Sequence, residues 1–174
     1  GYEDSKLFDY AKEQLLEISE KDDPFNFTML TADTHFEDGY YCPLCEDEFD
    51  DQYADVYACS SRQVNEFIKW IQQQDFYENT TVILSGDHLT MDMDFCEDVP
   101  ESYPRGVYNA ILNSAAEPVS EKNGEFTTMD KFPTTLASMG IQIEGDRLGL
   151  GVNLFSDQPT LIQEYGIDKL DEEL

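Results

Sequence analysis

The sequence predicts an α/β fold, a mainly parallel sheet flanked by helices. Three observations carry that expectation. Apolar residues at helical spacing alternate along the chain with short extended runs. The run Thr80-Thr81-Val82-Ile83-Leu84-Ser85 is β-branched, nearly continuous and stops at Gly86, as an interior strand covered on both faces would. The length of 174 residues, 40% of them hydrophobic, is enough for one domain with a sizeable core and short for two.

The elements follow in order. Leu7, Phe8, Ala11, Leu15 and Leu16 recur at helical spacing, so residues 5–19 form an amphipathic helix that Asp23-Pro24 ends. Residues 25–31 alternate apolar and polar like a strand. An acidic loop with Gly39, Pro43 and a C-x-x-C pair spans residues 32–55, far longer than the usual connection of about 4–6 residues. Loops of that length are often functional. Val64, Phe67, Ile68 and Ile71 are the buried stripe of a second helix, expected over residues 57–74 and capped by Ser60 or Ser61. Residues 80–85 and 106–112 read as strands. Residues 128–139 read as a helix with Pro133 inside it, which calls for a short first segment, a kink, or a start nearer Phe132. A Gly-rich stretch over 145–151 reads as a turn, since it has no P-loop Lys and no helix directly after it. Residues 159–165 close the chain with a short helix. No internal repeat or low-complexity linker interrupts the sequence, which is expected to be one unit, residues 1–174.

Charge excludes some partners. Ten Lys and Arg against 38 Asp and Glu leave a formal charge of −28. Phosphate backbones are held largely by Lys and Arg, so nucleic acid is not an expected partner. Unassisted docking on anionic lipid is opposed for the same reason. No run nears the roughly 18 apolar residues of a membrane span. The start, Gly1-Tyr2-Glu3-Asp4, has neither the basic nor the apolar region of a signal peptide. Any exporting or anchoring segment is therefore expected outside this chain, which reads as a fragment.

Both histidines follow strand-like runs. His35 ends Thr31-Ala32-Asp33-Thr34-His35, and His88 ends Ser85-Gly86-Asp87-His88. In open α/β sheets, ligands bind beyond the carboxyl ends of strands, where both imidazoles are expected. Asp and neutral imidazole suit a divalent ion such as Mn²⁺ or Zn²⁺, and Gly86 lets the chain turn to present Asp87 and His88 together. An Asp-His pair also arises by chance, and an exposed loop histidine such as His35 needs no role.

Cys42, Cys45, Cys59 and Cys96 allow three pairings. A redox dithiol normally opens a helix, and here an acidic loop follows. A zinc site with Cys59 and Cys96 lacks a second C-x-x-C. Disulfide stapling of the loop to the start of the next helix, through Cys59, is the favoured reading. The cluster Glu46-Asp47-Glu48 with Asp50-Asp51 lacks the oxygen spacing of a calcium loop and reads as a solvated face.

The stretch Phe76-Tyr77-Glu78-Asn79-Thr80-Thr81-Val82-Ile83-Leu84-Ser85-Gly86-Asp87-His88 resembles the sulfatase-like members of the alkaline phosphatase superfamily. With Asp33-Thr34-His35, Arg105-Gly106-Val107-Tyr108-Asn109 and Glu144-Gly145-Asp146-Arg147-Leu148-Gly149-Leu150-Gly151, it resembles more narrowly the phosphoglycerol transferases and lipoteichoic acid synthases. The resemblance implies an alkaline phosphatase/sulfatase-like α/β domain of which this chain is the incomplete C-terminal part. It implies that Asp87 and His88 ligate one divalent ion, Mn²⁺ first, with Zn²⁺ or Mg²⁺ as alternatives, and that His35 contacts the phosphoglycerol group. The implied chemistry moves phosphoglycerol from phosphatidylglycerol to an envelope glycan or polyglycerolphosphate acceptor. The implied location is the cell membrane, through segments absent from this chain, with the catalytic domain extracytoplasmic. The family's Thr nucleophile and carboxylate ligand lie upstream of the matched region. Thr34 and Thr90 do not match that nucleophile, so this chain alone is expected to be inactive. A sulfatase or phosphodiesterase of the same superfamily is the rival enzyme reading. A disulfide-stabilised, non-catalytic surface module is the other alternative, and a zinc-ribbon-like interaction module comes last.

Overall fold

The computed structural model describes residues 3–21, 23–119 and 124–173. The chain divides into two compact units, one of Gly1–Tyr77 with Asp87–Val107, the other of Glu78–Gly86 with Tyr108–Leu174.

In the first unit, α1 (Asp4–Ser19) and α2 (Gln52–Ile71) supply the core. Helix α1 buries Phe8, Ala11 and Leu15, and α2 buries Tyr53, Val56, Cys59, Phe67 and Ile71. The rings of Phe8 and Phe67 meet at 4.9 Å between centroids, which joins the two apolar stripes. Each such side chain contributes about 1.5–3 kcal/mol on full burial. Helix α2 starts five residues earlier than the spacing predicts. Its cap is Asp51, whose carboxylate accepts from Ala54 N at 2.8 Å, and Ser60 is a buried residue inside the helix. A negative side chain also suits the positive end of the helix dipole.

Residues 25–31, expected as a strand, lie outside any ladder. A strand exists only where a neighbour supplies hydrogen bonds along its edge. No described segment does so here, and Leu30 stands 73% exposed. The acidic stretch 46–51 is exposed, as a solvated face should be.

In the second unit, β1 (Val82–Ser85) pairs with β2 (Asn109–Leu112), Val82 opposite Leu112 and Ser85 opposite Asn109. The pairing is antiparallel, and so is that of β3 (Arg147–Leu148) with β4 (Gly151–Val152). The described residues therefore form two small antiparallel sheets where a mainly parallel sheet was expected. The apolar run of β1 is also not covered on both faces: residues 82–85 alternate between half-buried and exposed. Continuous apolarity and two-sided burial coincide only when layers cover both faces of a strand.

Helix α3 (Lys131–Ser138) follows a 3-10 turn at Thr128–Asp130, so Pro133 falls in its first turn, where a missing N–H costs nothing. Within the Gly-rich stretch, residues 149–150 are the tip of the β3–β4 hairpin, with Gly149 at φ 62°. Helix α4 (Leu161–Tyr165) starts at the Thr160 cap, and α5 (Ile167–Glu173), which the sequence pattern did not announce, buries Leu170. No helix among the described residues is long and apolar enough to cross a membrane.

Candidate active site

The site is built on two turns of the first unit. The turn carrying His35 is anchored by two carboxylates that clasp each other's backbone. Asp4, at the start of α1 and fully buried, accepts from Ala32 N at 2.8 Å and Asp33 N at 3.2 Å. Asp33 in return accepts from Asp4 N at 3.1 Å through Oδ1. Its Oδ2 is buried with no hydrogen-bond partner among the described residues, and burial pushes the Asp33 carboxyl upward from its ordinary range. The turn closes through His35 N to Ala32 O at 3.0 Å and Tyr40 N to Asp33 O at 2.7 Å. Gly39 sits at φ +64°, where a Cβ would meet Asp33 O at 2.6 Å and Val56 Cγ1 at 2.7 Å. Only glycine fits there.

The second turn carries Asp87 and His88. Asp87 Oδ1 accepts from His88 N at 2.9 Å, and Asp87 Oδ2 lies 3.5 Å from His88 Nε2. Both side chains are more than half exposed.

The two histidines share one arrangement. Nδ1 of His35 lies 2.7 Å from Phe36 O, and Nδ1 of His88 lies 2.7 Å from Leu89 O. A carbonyl only accepts, so Nδ1 is the ring nitrogen that donates to it in both histidines. Holding one ring nitrogen this way fixes the tautomer and orients the other nitrogen for a ligand.

Tyr53 of α2 ties the turns together. Its phenol donates to Thr34 O at 2.7 Å and lies 3.0 Å from Thr90 Oγ1. Thr34 precedes His35 and Thr90 follows His88 by two, so one hydroxyl links the two turns that carry the imidazoles. Tyr57 donates to Tyr53 Oη at 3.4 Å, and burial followed by that contact pushes the Tyr57 phenol up to about 12. It therefore stays protonated and donates. Phe95 packs on both tyrosines, with centroids 5.0 and 5.9 Å away. Arg105 holds the second turn by donating to Thr90 O at 2.9 Å.

These groups enclose a cavity of about 120 Å³ whose wall includes His35, Asp87, His88, Tyr53, Tyr57 and Thr90. Leu30, Phe36 and Met91 give the same wall an apolar part. All three sequence-predicted site residues thus line one cavity. Sequence reasoning missed Tyr53 and Tyr57. Their signal is the four-residue spacing on one helix face, which the apolar pattern hides because its stripe begins only after Tyr53.

Asp87 and His88 are a suitable donor pair for a divalent cation. One carboxylate oxygen and one imidazole nitrogen, both accessible, lie 3.5 Å apart.

The cysteines lie elsewhere in the first unit. Cys42 Sγ is 3.8 Å from Cys59 Sγ and 3.7 Å from Cys45 Sγ. The loop does meet the helix at Cys59 as expected, but as three free thiols in contact and with no disulfide. Cys96 is outside this cluster. Burial pushes the Cys45 thiol up to about 12 and raises Cys59 also, which makes them poor nucleophiles.

The Sulfatase family matches residues 1–141, and the chain belongs to that family, whose domains have an alkaline phosphatase-like α/β fold. The chain is similar to phosphoglycerol transferase I of Citrobacter koseri, 32% identical over 97 residues, which are 52% of this chain and 13% of that protein. It is also similar to phosphoglycerol transferase I of Escherichia fergusonii, 28% identical over 167 residues, 91% of this chain and 21% of that protein. The enzyme of the same name from Escherichia coli matches with the same identity and coverage. The chain thus spans about a fifth or less of the length of these curated relatives. No solved structure matches it.

Proposed function

We propose that residues 1–174 are the C-terminal portion of the catalytic domain of a metal-dependent phosphoglycerol transferase of the cell envelope. The observation that carries this reading is the shared cavity wall of His35, Asp87 and His88, with Nδ1 of both rings held against a backbone carbonyl. Kinship to the phosphoglycerol transferases I supports the substrate class, phosphatidylglycerol as donor and an envelope glycan or polyglycerolphosphate as acceptor.

In this reading Asp87 Oδ2 and His88 Nε2 hold one divalent ion, Mn²⁺ in the first instance. When bound, such an ion neutralises phosphoryl oxygens and acidifies an attacking hydroxyl. His35 faces the phosphoglycerol group. With Nδ1 directed at Phe36 O, Nε2 is the His35 ring atom available to that group. Tyr53 keeps the two imidazoles in register. The apolar wall of Leu30, Phe36 and Met91 suits a donor whose headgroup is followed by hydrocarbon. The nucleophile and further ligands come from upstream of this region, and the enzyme works on the outer side of the membrane.

The test uses a form extended upstream through the whole catalytic domain, assayed for Mn²⁺-dependent release of diacylglycerol from phosphatidylglycerol. Release by the longer form, with none from the 174-residue chain and none after Asp87→Ala, is the expected result. A longer form that binds Mn²⁺ but hydrolyses only sulfate or other phosphate esters would move the assignment to another branch of the family.

A further inference from the structure

The cysteine cluster has a geometry of its own. In a tetrahedral zinc–thiolate centre each sulfur is about 2.3 Å from the metal, so two sulfurs lie about 3.8 Å apart. A disulfide requires about 2.0 Å. The separations here are 3.8 Å for Cys42–Cys59 and 3.7 Å for Cys42–Cys45, and all three sulfurs lie within 4.8 Å of one another. The two separations that Cys42 makes are therefore those between sulfurs on one tetrahedral ion, and the third pair lies within reach of the same ion.

The surroundings fit as well. Cys42 and Cys59 are buried on the loop and on α2, while Cys45 is half-buried. Cys45 N donates to Cys42 O at 3.0 Å, which closes the C-x-x-C turn and turns both thiols to the same side. Gln63, one helical turn after Cys59, directs Nε2 at the sulfurs of Cys59 and Cys42, at 3.5 and 3.7 Å. Hydrogen bonds of this kind stabilise thiolate ligands. Gln63 Oε1 is buried with no hydrogen-bond partner among the described residues.

We propose that Cys42, Cys45 and Cys59 form a thiolate site for one Zn²⁺, distinct from the Asp87–His88 pair and independent of the transferase reading. Each thiol that ligates releases its proton to solvent, so binding weakens as pH falls. The ion ties the long 32–51 loop to α2, and through α2 it steadies the helix that carries Tyr53.

The experiment titrates the reduced, metal-free protein anaerobically with Co²⁺ alone and records the near-ultraviolet thiolate-to-cobalt charge-transfer band. We expect one equivalent to saturate the band and Zn²⁺ to bleach it. The band should persist in Cys96→Ser and Asp87→Ala and lose most of its intensity in Cys45→Ser, a half-buried position that tolerates the change, and in Cys42→Ser. Absence of the band in the unaltered protein, or its survival at full strength in Cys45→Ser, would overturn the proposal. So would a disulfide among the three cysteines in protein alkylated directly in intact cells.

Discussion

Two aspartates, one in each unit, show how burial divides structural from chemical carboxylates. Asp130 of the second unit is 1% exposed, and its oxygens accept from Val152 N at 2.8 Å, Thr127 N at 2.8 Å and Thr127 Oγ1 at 3.1 Å. The next turn continues the knot: Thr134 Oγ1 donates to Asp130 O at 2.6 Å and accepts from Leu154 N at 3.0 Å. Asp87 of the first unit is more than half exposed and, among the described residues, meets its neighbour's N–H and imidazole. A carboxylate surrounded by donors holds the fold; one left with oxygens facing a cavity is available to a ligand.

That contrast breaks most visibly in paired substitutions. Asp87→Ala should reduce turnover of the longer form by about a thousandfold or more, because a charged ligand of the metal is removed. Its unfolding free energy should stay within about 0.5 kcal/mol of the parent, as for other exposed sites. Asp130→Ala should do the reverse, costing about 3 kcal/mol by stranding buried donors. Urea unfolding of both variants checks this. Equal destabilisation of the two would erase the distinction.

A smaller effect sharpens it at the backbone. Gly151 in β4 presses against Met129 O, and Gly39 beside the His35 turn presses against Asp33 O and Val56. Gly151→Ala and Gly39→Ala should each lower stability by about 1–3 kcal/mol. Only Gly39→Ala should also change the environment of His35, read as a shift of its ring resonances by NMR.

The smallest effect concerns Asp33. Its carboxyl is raised first by burial, so the folded protein holds this proton more tightly than the unfolded chain. The sign follows from linkage: this contribution is present below the ordinary value of 3.8 and is lost as pH rises through the window up to the raised folded value. Asp33→Asn should flatten the stability profile across that window while keeping the bond from Asp4 N. Parallel profiles for the two proteins would show that Asp33 titrates alike in both states.

Much of the site was legible in sequence because its parts are local. Asp87 and His88 are adjacent, Gly86 frees the turn before them, and His35 ends a short motif; all three line one cavity. The helices were legible for the same reason, since an amphipathic stripe needs only its own spacing. The start of α2 was not, because Asp51 caps it from within an acidic run where one aspartate looks like the next. The role of Tyr53 was illegible because it depends on Thr34 and Thr90, 19 and 37 residues away.

Apolar spacing, the turns and the short Asp-His motifs are written in the chain itself. Those properties depend on neighbours a few positions away. Tertiary structure decided the antiparallel pairing of β1 with β2, the absence of a ladder for residues 25–31, the meeting of Cys59 with the C-x-x-C loop, and the bridge through Tyr53. Each requires two segments distant in the chain to come within hydrogen-bonding or contact range. Which segments meet is fixed by the packing that buries them together, and no local spacing records it.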